Sequence, residues 1–480
     1  MTAKSIVDFI CEHADKKTVS FHMPGHKGSA IYKRFGYEYF LKKIPDNDIT
    51  EIPGADNLFQ TEGIIKTVQE KYAELYKVKR SYLLINGTSS GVIAAIMASV
   101  PKGRKLIMAR NCHKSIYNAL VLADIQPVYA YPEMIHEYGI SGEITAEEIE
   151  KHLSENPDAE AVIIPSPNYY GICSDIEKIA EVVHRHNKIL IVDQAHGAHL
   201  KFFRDSGFSN MPISAEAGGA DISVNSIHKT LASFTQSAVI NLNSEKVDRY
   251  TLEDKLQMIQ STSPSYLLMA SLDINANIIR DHKKTVFSEW HENLMHFYSE
   301  AVNIKGLEVI GNPFASKKEI RLDITKINLD MSGAGLDAAH LEEELMSRGI
   351  FAELTTGNIL MCMTGIGNTL SDMDKLLAAL KEISAKYYGK PSAYKRESVN
   401  AVFEEKLELC EVPKEKTRIP LLNGAGRICA SSIIPYPPGI PFVCPGERLN
   451  ENVIEYIKKL RDSGEKVIGV NEDGEITVGK

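Results

Sequence analysis

The chain has 480 residues, 44% of them hydrophobic and 24% charged, with a formal net charge of −9 and a pI near 6.0, which suits a soluble globular protein of two or three domains. An acidic balance without blocks of like charge argues against a nucleic-acid binder held by phosphate neutralisation, and apolar runs such as GVIAAIMASV (91–100) are too short to span a bilayer. The seven cysteines are scattered, odd in number and without a C-x-x-C pair, which speaks against a disulfide framework or a zinc site.

The opening stretch, MTAKSIVDFICEHADKK, alternates apolar and charged residues as an amphipathic helix does and lacks a signal-peptide core, so residues 1–20 are expected to form one helix of a cytoplasmic protein. Two irregular stretches follow, FHMPGHKGS (21–29) and PDNDITEIPGADNLF (45–59). From about 62 helix and strand signals alternate. Helical spacing covers 61–78, 91–100, 115–123, 145–155 and 175–187, with a capping box expected from Thr145 to Glu148. Short apolar runs at 81–85, 105–109, 161–166 and 188–192 read as buried strands. Strands separated by helices of this length predict an α/β fold with a mostly parallel central sheet covered on both faces. After about 300 the texture changes to a small α+β domain, with signals at 319–327, 337–349, 358–364 and 371–388. A polar join near 389–397 precedes a C-terminal piece with its own Pro/Gly-rich loop. The expected divisions are therefore 1–60 (N-terminal helix and arm), 61–300 (large domain), 301–390 (small α+β domain) and 391–480 (C-terminal domain).

Ligands of such sheets sit at the carboxyl ends of the strands. NGTSSG (86–91) leaves backbone N–H groups at a helix start, where the dipole favours an anion, and Ser89 and Ser90 add hydroxyls. A simple helix cap explains this stretch equally well. RNCHKS (110–115) puts His113 in the next loop, DQAHGAH (193–199) puts Asp193 at a strand end, and DISVNS (221–226) leads into His228–Lys229. An anion cradle, a His ring, a carboxylate and a lysine able to form an imine are the four parts that pyridoxal phosphate requires. Two rival readings are weaker. Asp193, His196 and His199 lie on a Gly-containing loop, Pro24 and Gly25 interrupt His22 and His26, and there is no H-E-x-x-H, so no metal site is expected. GIGNTL (365–370) lacks the third glycine of a dinucleotide turn.

The motifs FHMPGHKG, DITEIPGADNL, NGTSSG, RNCHKS, DQAHGAH, SIHKTLASFTQ, STSPSY and PYPPGIPFVCPGE, spread from residue 21 to about 447, resemble those of the bacterial ornithine/lysine/arginine decarboxylases, pyridoxal-phosphate enzymes of fold type I. The resemblance implies that Lys229 forms the imine, Asp193 pairs with the pyridine nitrogen, and His113 stacks on the ring. It implies that Ser89, Ser90, Ser226 and His228 surround the phosphate, and that Thr262 or Ser263 reaches the phosphate of the neighbouring subunit of a homodimer. Glu447 and Glu51 become candidates for holding the distal cation of a basic substrate; Asp56 shares their motif but suits loop capping better. Long members of the family carry an N-terminal wing domain that builds large rings and an aromatic residue where His196 stands here; this chain starts almost at FHMPGHKG, so such rings are not expected. Arginine, giving agmatine for polyamine synthesis, is the first choice of substrate, with lysine, giving cadaverine, and ornithine, giving putrescine, as alternatives. An aminotransferase or lyase of the same fold type is the rival enzyme, and a transaminase would need an Arg clamp, for which Arg110 is the nearby residue. A catalytically degenerate, pyridoxal-binding regulator is the rival outside enzymes.

Overall fold

The computed structural model describes residues 5–315, 320–390, 407–410, 412–436, 439–462 and 466–480. The expected join at 389–397 lies, from residue 391 on, outside the described residues, as do Pro437 and Pro438 of the C-terminal loop.

A seven-stranded sheet organises the large domain. Its strands in chain order are β1 (Arg80–Leu84), β2 (Lys105–Ala109), β3 (Gln126–Ala130), β4 (Ala159–Pro165), β5 (Ile189–Asp193), β6 (Ile222–Asn225) and β7 (Ala238–Leu242). Their order across the sheet is β1-β7-β6-β5-β4-β2-β3. Pairing is parallel from β6 through β3, while β7 runs antiparallel to both β6 and β1. Every residue of β6 and β7 is buried, as expected of continuous apolar strands covered on both faces. One of the two largest apolar cores takes residues from every strand of this sheet, and the other, which meets the sheet at Leu83 and Val239, is shared with the small domain.

The small domain carries an antiparallel sheet of β8 (Glu308–Val309), β9 (Lys326–Asp330), β10 (Leu354–Thr356) and β11 (Ile359–Met363), ordered β8-β9-β11-β10. The helices Ala338–Met346 and Leu370–Tyr387 accompany it. The C-terminal region pairs Lys416–Pro420 with Glu475–Gly479 and packs the helix Glu451–Asp462 on a small core that includes Leu421, Phe442, Val443, Val453 and Ile457.

Three local expectations need correction. The first helix spans only Ile6–Asp15; Lys17 adopts a left-handed backbone (φ 48°), and Val19–Ser20 then pair in parallel with Ile350–Phe351, drawing the arm onto the small domain. The capping box at Thr145 is half formed: Thr145 Oγ1 accepts the Glu148 N–H, but the Glu148 carboxylate accepts instead from Tyr131 N–H and meets His152. The longest element, the 36-residue helix Tyr266–Ala301, falls where no periodic stretch is assigned. It packs against Ile64–Tyr76 on one side and against Leu370–Tyr387 of the small domain on another, so its apolar residues form no single stripe. No helix among the described residues is long and apolar enough to cross a membrane.

Candidate active site

The loops leaving β1, β2, β4, β5 and β6 gather at one edge of the sheet. Asp193 is the last residue of β5 and only 7% exposed. Its Oδ1 accepts the Ala195 N–H at 3.1 Å. Burial raises its pKa, while the Lys229 charge and the Ala195 hydrogen bond pull the other way. Lys229 lies in the single helical turn Ile227–Thr230 that follows β6. Burial lowers its pKa, opposed mainly by the Asp193 charge, a shift towards the uncharged amine that a nucleophilic lysine needs. Its Nζ is 2.9 Å from His196 Nε2.

His113 caps the helix Lys114–Ala123: its Nδ1 accepts the Ser115 N–H at 3.3 Å and meets Ser115 Oγ at 2.9 Å. Burial, followed by the charges of Lys229 and Lys114, lowers its pKa to about 4, so the ring is neutral at pH 7. His228 Nδ1 faces the Ser237 carbonyl at 2.9 Å, and burial lowers its pKa to about 4 as well.

The turn after β1 starts the 13-residue helix Gly87–Ser99. Ser90 is buried and its hydroxyl turns back onto the Gly87 carbonyl at 2.8 Å, whereas Ser89 is exposed. Thr88, quoted within its motif but not singled out from the sequence, meets Ser226 hydroxyl to hydroxyl at 3.0 Å. That contact joins the β1 and β6 turns into one polar rim. Thr262 and Ser263 lie exposed just beyond Gln260, whose side-chain oxygen accepts the Ile85 N–H beside the same turn.

Several functional candidates escape sequence reasoning. Tyr169 stacks at a tilt on His196, with centroids 4.6 Å apart, and donates to Glu353, which also accepts the Met23 N–H at 2.9 Å. Behind Lys229, His199 joins Thr230 (3.1 Å) and Asp323 (3.0 Å), and Lys326 donates to Asp323 (3.2 Å) and to the His196 carbonyl (3.1 Å), all with side chains fully buried at the charged positions. Tyr169 sits in PNYYG (167–171), the loop that leaves β4, but Glu353, Asp323 and Lys326 carry no local pattern that marks them.

Two expectations change in the structure. Glu447 does not present a carboxylate to a substrate. Its side chain is 1% exposed, and its oxygens accept from Arg110 Nε (3.0 Å) and Nη2 (2.9 Å) and from the Cys444 N–H (2.8 Å). The same pairing removes Arg110 as the clamp a transaminase would use, because its remaining donors go to the carbonyls of Pro441 and Phe442 and to Tyr117 Oη. Glu51 stays partly exposed in the 48–54 segment. Asp56 is a loop cap: it accepts the N–H groups of Asn57, Glu62, Gly63, Ile65 and Lys66.

The sequence matches the model of the Orn/Lys/Arg decarboxylase major domain over residues 5–321 and that of the Orn/Lys/Arg decarboxylase C-terminal domain over 392–475. The chain belongs to the Orn/Lys/Arg decarboxylase family. It is 32% identical over 465 residues to an arginine decarboxylase of Bacillus subtilis, covering 95% of this chain and 94% of that one. It is likewise 32% identical over 476 residues to an arginine decarboxylase of Halalkalibacterium halodurans, covering 97% and 94%. Among solved structures, the lysine decarboxylase of Francisella novicida superposes with a TM-score of 0.77 at 21% identity, over 95% of this chain and 78% of that one; this likeness concerns the fold. The chain is thus a decarboxylase, with the mostly parallel α/β sheet that its alternating pattern predicts and the fold-type I architecture that the family resemblance implies.

The residues fit pyridoxal phosphate. Buried His196 Nδ1 has no hydrogen-bond partner among the described residues, and beside it lie a buried carboxyl, a depressed lysine and a neutral imidazole. This donor set suits a polar aromatic group with an aldehyde and a phosphate.

Proposed function

We propose that this protein is a pyridoxal-phosphate-dependent decarboxylase that converts L-arginine to agmatine and CO2, working in the cytoplasm as a homodimer and supplying polyamine synthesis. The observation that carries the reading is the convergence of Lys229, Asp193 and His113 at one sheet edge. The choice of arginine rests on relatives of that name aligned along nearly the whole chain.

In this reading the amides and hydroxyls of residues 87–90, with Thr88, Ser226 and His228, hold the phosphate, Thr262 of a second subunit completes the cup, and His113 lies against the ring. When bound, pyridoxal phosphate supplies an aldehyde to the amine and a ring that accepts the electron pair left as CO2 departs. Asp193 keeps a negative charge where a ring nitrogen must stay protonated, and burial makes that pairing strong. With the cofactor bound, Lys229 Nζ would hold a proton for Cα, and His196 Nε2, 2.9 Å away, would take or return it. The overall change, an amino acid plus one proton giving an amine plus CO2, consumes that proton.

The test is product identification. Purified protein with pyridoxal phosphate, given arginine, lysine or ornithine separately, is expected to form agmatine as the dominant amine. Dominant cadaverine or putrescine would reassign the substrate. Absence of any amine from protein that binds the cofactor would overturn the decarboxylase reading. Lys229→Ala is expected to abolish both turnover and the cofactor's protein-bound imine absorption.

A further inference from the structure

Arg110 is the first residue after β2 and lies three positions before His113. Its guanidinium is buried over the Tyr129 ring and makes five hydrogen bonds: two to Glu447, one each to the Pro441 and Phe442 carbonyls (2.7 and 2.9 Å), and one to Tyr117 Oη (3.3 Å). The Tyr117 hydroxyl in turn donates to the Arg110 carbonyl at 2.7 Å. One residue beyond His113, the Lys114 N–H donates to the Gly439 carbonyl at 3.3 Å. The segment 439–447 is therefore fastened to both ends of the turn that holds His113. A bidentate guanidinium–carboxylate pair fixes relative orientation as well as distance. A buried ion pair is a poor source of net stability but a strict geometric constraint, since removing one partner strands the other.

We propose that Arg110 and Glu447 form a positioning clamp through which the C-terminal domain sets the placement of the His113 turn, so that the cofactor site is complete only when that domain is docked. The inference rests on the reading of His113 against the cofactor ring. It gives Glu447 a task distinct from holding the substrate's distal cation, and the two tasks predict different kinetics.

The experiment measures pyridoxal phosphate affinity, together with kcat and KM for arginine, in Glu447→Gln, Arg110→Lys and the double variant. Each single variant is expected to bind the cofactor at least about tenfold more weakly and to lose kcat, with KM for arginine little changed. The double variant should be no worse than the worse single, because the pair is already broken. In a His113→Ala background, Glu447→Gln should add no further loss of cofactor affinity, an outcome that a merely structural role would not give. If the buried charge left by these changes prevents folding, Tyr117→Phe, which removes only the hydroxyl bracing Arg110, should show a smaller loss of the same kind. A rise in KM for arginine with unchanged cofactor affinity in Glu447→Gln, or wild-type cofactor affinity in Arg110→Lys or Tyr117→Phe, would overturn the clamp. Failure of the wild-type protein to bind pyridoxal phosphate would instead overturn the site reading on which it rests.

Discussion

Lys229 illustrates how a few side chains set a reactive state. Its Nζ has a neutral histidine 2.9 Å away, a buried carboxyl in its field, and no route to bulk hydration as open as that of a surface lysine. The neighbouring histidines respond to the same burial. His228 titrates near 4 in the folded chain and near 6.5 once unfolded. Between those values the unfolded chain holds more protons, so stability falls as pH drops from 6.5 towards 4 and is unaffected by this group above 6.5. The loss amounts to roughly 2 kcal/mol by pH 5. Urea melts of cofactor-free protein at pH 7.5 and pH 5.0 measure it, and His228→Gln should lose correspondingly less between the two. Equal losses in both proteins would mean that His228 is not held neutral.

At the scale of elements, the N-terminal motif FHMPGHKG and the small-domain stretch GIGNTL explain each other. The Gly25 N–H donates to the His228 carbonyl (2.8 Å), Gly367 N–H to the Gly25 carbonyl (3.0 Å), and Ile366 N–H to the Thr230 carbonyl (2.9 Å). Two backbones thus cross against the turn that carries Lys229. A Cβ on Gly25 would sit 2.3 Å from the Thr230 carbonyl carbon, and one on Gly367 would sit 2.2 Å from the His26 oxygen. The glycines of GIGNTL are there for backbone approach, which is why a dinucleotide turn was the wrong template. Gly25→Ala must push the crossing apart, at a cost of about 2–3 kcal/mol by analogy with overpacking. A lowered melting temperature together with weakened pyridoxal phosphate binding is expected; a variant that melts and binds like wild type would show that the crossing is loose.

For the whole molecule, the catalytic edge depends on parts far apart in sequence. The N-terminal arm and the small domain press on the turn that carries Lys229, and the C-terminal segment presses on the turn that carries His113. The exposed Ser89, Thr262 and Ser263 lie at its outer rim. Exposed Ile49 and Ile52 lie within the family motif at 48–58, and exposed Ile64 follows it; such residues suit an interface between copies. The homodimer reading predicts that specific activity falls on dilution as the protein dissociates, in step with the mass seen by sedimentation. Constant activity in a demonstrably monomeric sample would refute shared sites.

The sequence by itself determined the α/β class, the strands that end at the site, and the loops that carry Asp193, His113 and Lys229. It could do so because buried parallel strands alternate with helices at a regular spacing and strand ends collect ligands. Tertiary structure alone decided what the polar residues of those loops face. Asp56, Glu447 and Asp193 look alike as acids in motifs, yet one caps a helix, one grips Arg110 and one waits at the strand end with a depressed lysine in its field. The partners of Glu447 and Asp323 come from distant parts of the chain, and a pairing across such distance leaves no period in the sequence. Burial makes each pairing obligatory, and burial is a property of the folded whole.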